Sequence, residues 1–252
     1  MLINMFLGLL VAVLSSCFST QENTVDYVLD SIEEVDIKTI TSNITYTRTD
    51  PILNRREIRT GRLLFRMDDD NQRDAAILFD TLIIGRRKEE KLKHYVFSGR
   101  WMAEVDYENK QFLKRELISP EENKTVDPFE LGNGPVPLPI GQTKESVLKK
   151  FNVTIIERPD EGQLSKLDEN VVGLLLIPTK QKSNWESIEL FYNPETWLPV
   201  GVRTIEDDGT KRVSQLTDVK LNILNEEDAK LLSISTPDPK EWSIDIRPWS
   251  NN

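Results

Sequence analysis

From Thr39 to Leu117, and again from Val153 to Leu224, the chain is a succession of short runs rich in β-branched and aromatic residues, each closed by turn-forming residues. Runs of this length and composition form strands, and short links between them favour antiparallel neighbours. The first half predicts strands at Ile40 to Thr49, Arg55 to Met67, Ala75 to Gly85, Leu92 to Phe97, Met102 to Tyr107 and Gln111 to Leu117. The second predicts strands at Val153 to Glu157, Val171 to Ile177, Ser187 to Tyr192, Pro199 to Glu206 and Val213 to Leu224. Alternation is clearest in the second strand, where Leu63, Phe65 and Met67 share one face. Tyr107-Glu108-Asn109-Lys110, Asn193-Pro194-Glu195-Thr196 and Asp207-Asp208-Gly209-Thr210 carry the chemistry of tight hairpin links. A β-meander is the expected architecture.

Two helices interrupt it. Val25, Val28, Leu29, Ile32 and Val35 recur at helical spacing with acids between them, and Thr143 is placed to cap a short helix running to Phe151. Prolines and glycines from Asp127 to Ile140 exclude a regular helix or central strand there, leaving an apolar, irregular loop. Pro237, Pro239 and Pro248 limit the C-terminal stretch to an edge strand and an extended tail, and Asp68-Asp69-Asp70 and Glu226-Glu227-Asp228 read as solvated turns.

The N-terminus has a different character. Met5 to Leu14 is an apolar run of signal-peptide length, too short to span a bilayer, and Leu14-Ser15-Ser16-Cys17 follows it with the form of a lipobox. Residues 1–17 are therefore expected to be a signal and lipobox region, and residues 18–252 a single domain. Cys17 is the only cysteine, which rules out a disulfide within the chain and makes it the candidate lipidation site, alongside a discarded leader cysteine or a chance thiol. Export to a bacterial periplasm, with membrane attachment only through that anchor, is the expectation.

Function classes narrow quickly. A net charge of −10 argues against sequence-independent nucleic-acid binding, which depends on clustered Lys and Arg. The one histidine, His94, lies between Lys93 and Tyr95 in a predicted strand, and with Cys17 set aside no further Cys or His remains for a zinc site or a Cys-His pair. No phosphate-cradling glycine motif is present. Carboxylates are abundant, which leaves a hydrolase with two of them in a cleft as an open alternative, but nothing in the sequence marks such a pair out. No catalytic residue, metal or cofactor is expected, and the chain reads as a binding protein, not an enzyme.

Four stretches, taken in order, resemble the LolA-like family of periplasmic lipoprotein carriers and lipid binders. Thr60-Gly61-Arg62-Leu63-Leu64-Phe65-Arg66 is similar to the family's Gly-x-Leu-x-aromatic-basic strand, and Phe97 to Asp106 to its strand, turn and Trp-bearing strand, with Trp101 near the family's Trp. Asp127-Pro128-Phe129-Glu130-Leu131 is similar to the start of its middle cover. Gly173 to Pro178, Ile188 to Tyr192, the Asp207-Asp208-Gly209 turn and the strand from Val213 to Asn222 are similar to its closing meander.

The resemblance implies a mainly β protein with a few helices, its curved antiparallel sheet forming an unclosed half-barrel under a helical and loop cover. It implies an apolar cavity for the acyl chains of lipoproteins or for another lipid. The candidate lining is Leu63, Phe65, Met67, Leu78, Trp101, Phe129, Leu131, Leu175, Ile177, Leu190 and Tyr192. An envelope sensor or protein-interaction domain of the same fold, with a protein partner, is the alternative, and a monomer is favoured. In the carrier, an arginine followed by Pro helps hold the lid shut; Arg66 is the matching candidate, but Met67-Asp68 follows it.

Overall fold

The computed structural model describes residues 23–250 except 54, 69–71, 123–142 and 180–184. Cys17, Phe129, Leu131 and the proline-rich loop lie outside the described residues.

Among the described residues, twelve strands form one sheet in the order β12-β6-β5-β4-β3-β2-β1-β11-β10-β9-β8-β7, open at both edges and accompanied by three short α-helices. The strands are β1 (Thr39–Asp50), β2 (Arg55–Met67), β3 (Arg73–Ile84), β4 (Arg87–Ser98), β5 (Trp101–Asp106), β6 (Gln111–Glu116), β7 (Phe151–Ile156), β8 (Val172–Pro178), β9 (Trp185–Tyr192), β10 (Pro199–Glu206), β11 (Lys211–Leu221) and β12 (Ser243–Arg247). Strands β1 to β6 run as one meander and β7 to β11 as a second. The two halves join where β1 pairs with β11, Ile44 lying opposite Leu216.

Because side chains alternate across a strand, register divides the sheet into two faces. Leu63, Phe65, Ile77, Phe79, Phe97 and Met102 from the first half share one buried cluster with Leu174, Leu176, Ile188, Leu190 and Tyr192 from the second. Strands five places or more apart in the order contribute to this one core, so the sheet curves around it; this is the inner face. The expected half-barrel is therefore observed.

Helix α1 (Val25–Glu33) lays Val28 and Leu29 on that core, capped by Thr24, whose hydroxyl accepts the Tyr27 N–H. Helix α2 (Lys144–Lys150) adds Val147, capped by Thr143 as expected.

The outer face carries two smaller clusters. Leu64, Ala76, Leu78 and Val96 pack under Leu232, and Leu164, Leu167 and Phe191 close a second patch. Leu232 belongs to a C-terminal strap that crosses the sheet from β11 to β6. Here the sequence reading needs one correction. Glu226-Glu227-Asp228 is not a solvated turn but the first turn of helix α3 (Glu226–Leu231): Asn225 caps it, and Asp228 is buried against Arg62 at 2.7 Å. Acids in a first turn face unpaired N–H groups, which favours a helix over a turn. The edge strand β12 is present, but it pairs with β6 in parallel, Ser243 opposite Gln111 through Arg247 opposite Arg115, because the strap has first crossed the outer face.

A candidate apolar binding face

The inner face has two ends of opposite character. Around α1 and α2, Leu29, Ile32 and Val147 meet Leu174, Leu176, Leu190 and Tyr192 across a crevice of about 10 Å³, roughly the room one water needs. Burial raises the Tyr192 phenol, keeping it protonated in this apolar setting. At the other end of the inner face, on β2, β4, β5, β10 and β11, lie ion pairs: Arg59 with Glu57 at 2.8 Å, Lys93 with Glu104 at 2.6 Å and Arg212 with Glu206 at 2.7 Å. Tyr46 and Tyr95 mark the boundary, both in ring contact with Phe79. Burial pushes the Tyr46 phenol up to about 12, opposed by the nearby Arg212.

Five of the proposed lining residues lie on the inner face. Leu63, Phe65, Leu190 and Tyr192 are in its buried core and Met67 packs against it. Four do not. Leu78 pairs with Arg62 and joins the outer cluster under Leu232. Trp101 is one residue out of phase with inward-facing Met102, so its ring faces outward beneath the Lys114 ammonium at 4.5 Å. Leu175 and Ile177 alternate with the inward Leu174 and Leu176, and Ile177 is 40% exposed. In an unbroken apolar run the two faces carry the same residue type, so composition alone cannot assign them. Phe79, Phe97, Met102, Ile188, Leu174 and Leu176 are among the inner residues the candidate lining omits; period-two spacing from Leu190 is the signal for Ile188.

Arg66 also points outward. It pairs with Asp74, its cross-strand neighbour, at 2.6 Å and away from the helical cover. Lys144 joins the two helices: its ammonium lies 2.9 Å from both Asp26 and Asp30, and its backbone N–H donates to the Glu33 carboxylate at 2.9 Å. These contacts join α2 to α1, so the two helices form one cover over the apolar end.

His94 is half-buried on the outer face with its ring 4.8 Å from Tyr107, which in turn meets Trp242 of the strap. Burial and then Arg62 lower its pKa. Among the described residues no group of His, Cys, Asp and Glu is placed to hold a metal ion, and no helix is long and apolar enough to cross a membrane.

No protein-family model and no curated protein matches the chain. Solved structures similar to it include an uncharacterized conserved protein from Thermus thermophilus, at 10% identity and a TM-score of 0.46 over 88% of this chain and 98% of that one. MucB in its complex with MucA from Pseudomonas aeruginosa is similar at 13% identity and a TM-score of 0.42, over 84% of this chain and 59% of that one. A LolA superfamily protein from Nitrosomonas europaea is similar at 10% identity and a TM-score of 0.32, over 82% of this chain and 97% of that one.

Proposed function

We propose that the inner face binds the acyl chains of a lipoprotein or another lipid in a bacterial envelope, without covalent chemistry, once the α1–α2 cover lifts. The observation that carries this reading is a continuous apolar floor closed by two short helices that are latched to each other by exposed ion pairs. Lifting the cover exposes Val28, Leu29 and Val147, a cost of about 4.5 to 9 kcal/mol at roughly 1.5 to 3 kcal/mol for each side chain. An acyl chain of about a dozen methylenes, at about 0.8 kcal/mol each, offsets that with roughly 10 kcal/mol. Binding and opening are then coupled, and the closed crevice of about 10 Å³ is the ligand-free state. In this reading Cys17 carries the lipid anchor and the domain works as a tethered binder.

The filled crevice also favours a second reading, an envelope interaction domain that docks a protein partner and carries no lipid. Native mass spectrometry of the full-length protein, expressed in a bacterial envelope and measured with and without mild delipidation, separates the two. A co-purified acyl species, with a diacylglyceryl mass on Cys17, is expected. A chain that stays ligand-free and takes up no lipid from vesicles overturns the acyl-binding reading and favours the second.

A further inference from the structure

On the outer face, register assembles a cluster of cations that the inner-face reading does not use. Thr49 of β1 lies between Arg56 of β2 and Lys211 of β11, directly paired to both. With strands about 4.8 Å apart, the two cationic residues flank one threonine with backbones about 10 Å apart. In the next row of the same face, Thr47 pairs with Val213, whose other neighbour is Arg203. The segment from Glu161 to Gln163 closes over these rows. Thr47 donates its hydroxyl to Gln163 Oε1 at 2.7 Å, and Gln163 Nε2 donates to the Thr45 carbonyl at 2.9 Å. Together they line an open pocket of about 240 Å³.

Its charge is unusual for a chain of net charge −10. Three cations, Arg56, Arg203 and Lys211, line it against one carboxylate, Glu161. Arg203 is engaged by Glu189 at 2.6 Å, yet its Nε is shut off from solvent without a hydrogen-bond partner. Among the described residues, Arg56 and Lys211 are exposed and form no ion pair within 4.0 Å. Arg56 and Lys211 flank Thr49 from the two neighbouring strands, so an anion seated over Thr49 lies within reach of both.

We propose that this cavity binds a tetrahedral oxyanion of the phosphate class. Arg56 and Lys211 supply the charge, Thr49 stands between them as the hydroxyl donor, and Gln163, pinned by Thr47 and the Thr45 carbonyl, holds the wall in place before the ligand arrives. The site lies on the face opposite the apolar floor and does not depend on the acyl-binding reading. Two sources share this chemistry, a soluble phosphate compound and the phosphate of a lipid headgroup.

The test is titration of the full-length protein with inorganic phosphate, followed by amide NMR shifts and compared with chloride at equal ionic strength. Saturable shifts at Thr47, Thr49 and Gly162 are expected, with a Kd of about a millimolar, and the double variant R56Q/K211Q weakens binding at least about tenfold. Both changed side chains are exposed, and an unchanged melting temperature reports that the variant folds. Dodecyl phosphate set against dodecyl maltoside separates the sources. Binding of the phosphate amphiphile well above that of inorganic phosphate, and lost in the variant, supports a lipid headgroup; equal affinities support a soluble compound. Shifts that chloride reproduces, or affinity the variant retains, overturn the proposal. Dodecyl maltoside binding on the inner face stays the same in the variant, so failure here is distinct from failure of the acyl-binding reading.

Discussion

Replacing Gly61 with alanine tests how the sheet acquires its curvature. Gly61 sits in β2 where pairing with β3 slips by one residue: Thr60 faces Thr81, but Gly61 faces Phe79. A Cβ at this position would lie 2.0 Å from the Leu78 carbonyl oxygen and 2.8 Å from both the Leu78 carbonyl carbon and Phe79 Cα. Carbon and carbonyl oxygen tolerate about 3.3 Å, so the two backbones must part by roughly 1.3 Å, and all three close atoms belong to main chain that cannot rotate away. Overpacking of this kind costs about 1 to 3 kcal/mol, and stretching one or two ladder hydrogen bonds adds about 1 kcal/mol each. The restricted unfolded chain of the alanine variant returns less than about 1 kcal/mol. A net loss of about 3 kcal/mol is expected, which at about 2 to 4 °C per kcal/mol for a protein of this size lowers the melting temperature by about 6 to 12 °C. Thermal unfolding followed by far-UV circular dichroism reads this directly. A melting temperature within about 2 °C of the parent refutes the reasoning, because it means β2 and β3 separate at the bulge at almost no cost.

Three further outcomes are expected. Tyr46 ionises near its ordinary value of 10.0 when unfolded and near 12 when folded, so between those pH values the unfolded state has released a proton the folded state keeps. Stability therefore falls as pH rises from 10 to 12, by about 3 kcal/mol from this residue, and Tyr46→Phe flattens that part of a denaturant-midpoint profile against pH. Removing Arg66 leaves the Asp74 carboxylate, 4% exposed, without its 2.6 Å partner; Arg66→Ala is expected to cost about 3 kcal/mol in urea unfolding, and adding Asp74→Asn to recover part of it. Leu232→Ala empties the contact that holds the strap on Leu64, Ala76, Leu78 and Val96, costing about 2 to 4 kcal/mol and exposing the C-terminal stretch to limited proteolysis before the rest of the chain.

Strand existence and the α1 and α2 helices were legible in the sequence because they depend on local chemistry: β-branched runs, alternation, turn residues and threonine caps act within a few residues of themselves. The reading placed β2 and β10 with the bounds observed, Arg55–Met67 and Pro199–Glu206. Leu63, Phe65 and Met67 were assigned to one face because polar residues alternate with some of their neighbours, which records the period directly. Leu175 and Ile177 carried no such record, since Gly173-Leu174-Leu175-Leu176-Ile177 is apolar throughout and both faces of β8 read alike. Only pairing with β9, Leu174 opposite Leu190, decided which leucines face the core. The same limit applies to charges. Nothing local distinguishes Arg56 and Lys211, 155 residues apart in sequence, from other surface cations, and they become neighbours only because β1 comes to lie between β2 and β11. Strands, caps and turns can be read one at a time from the residues, because each is set by interactions a few residues long. Tertiary structure alone decided the faces, the parallel β12 and the cation-lined cavity, because these depend on register between distant strands, which one residue's slip would invert.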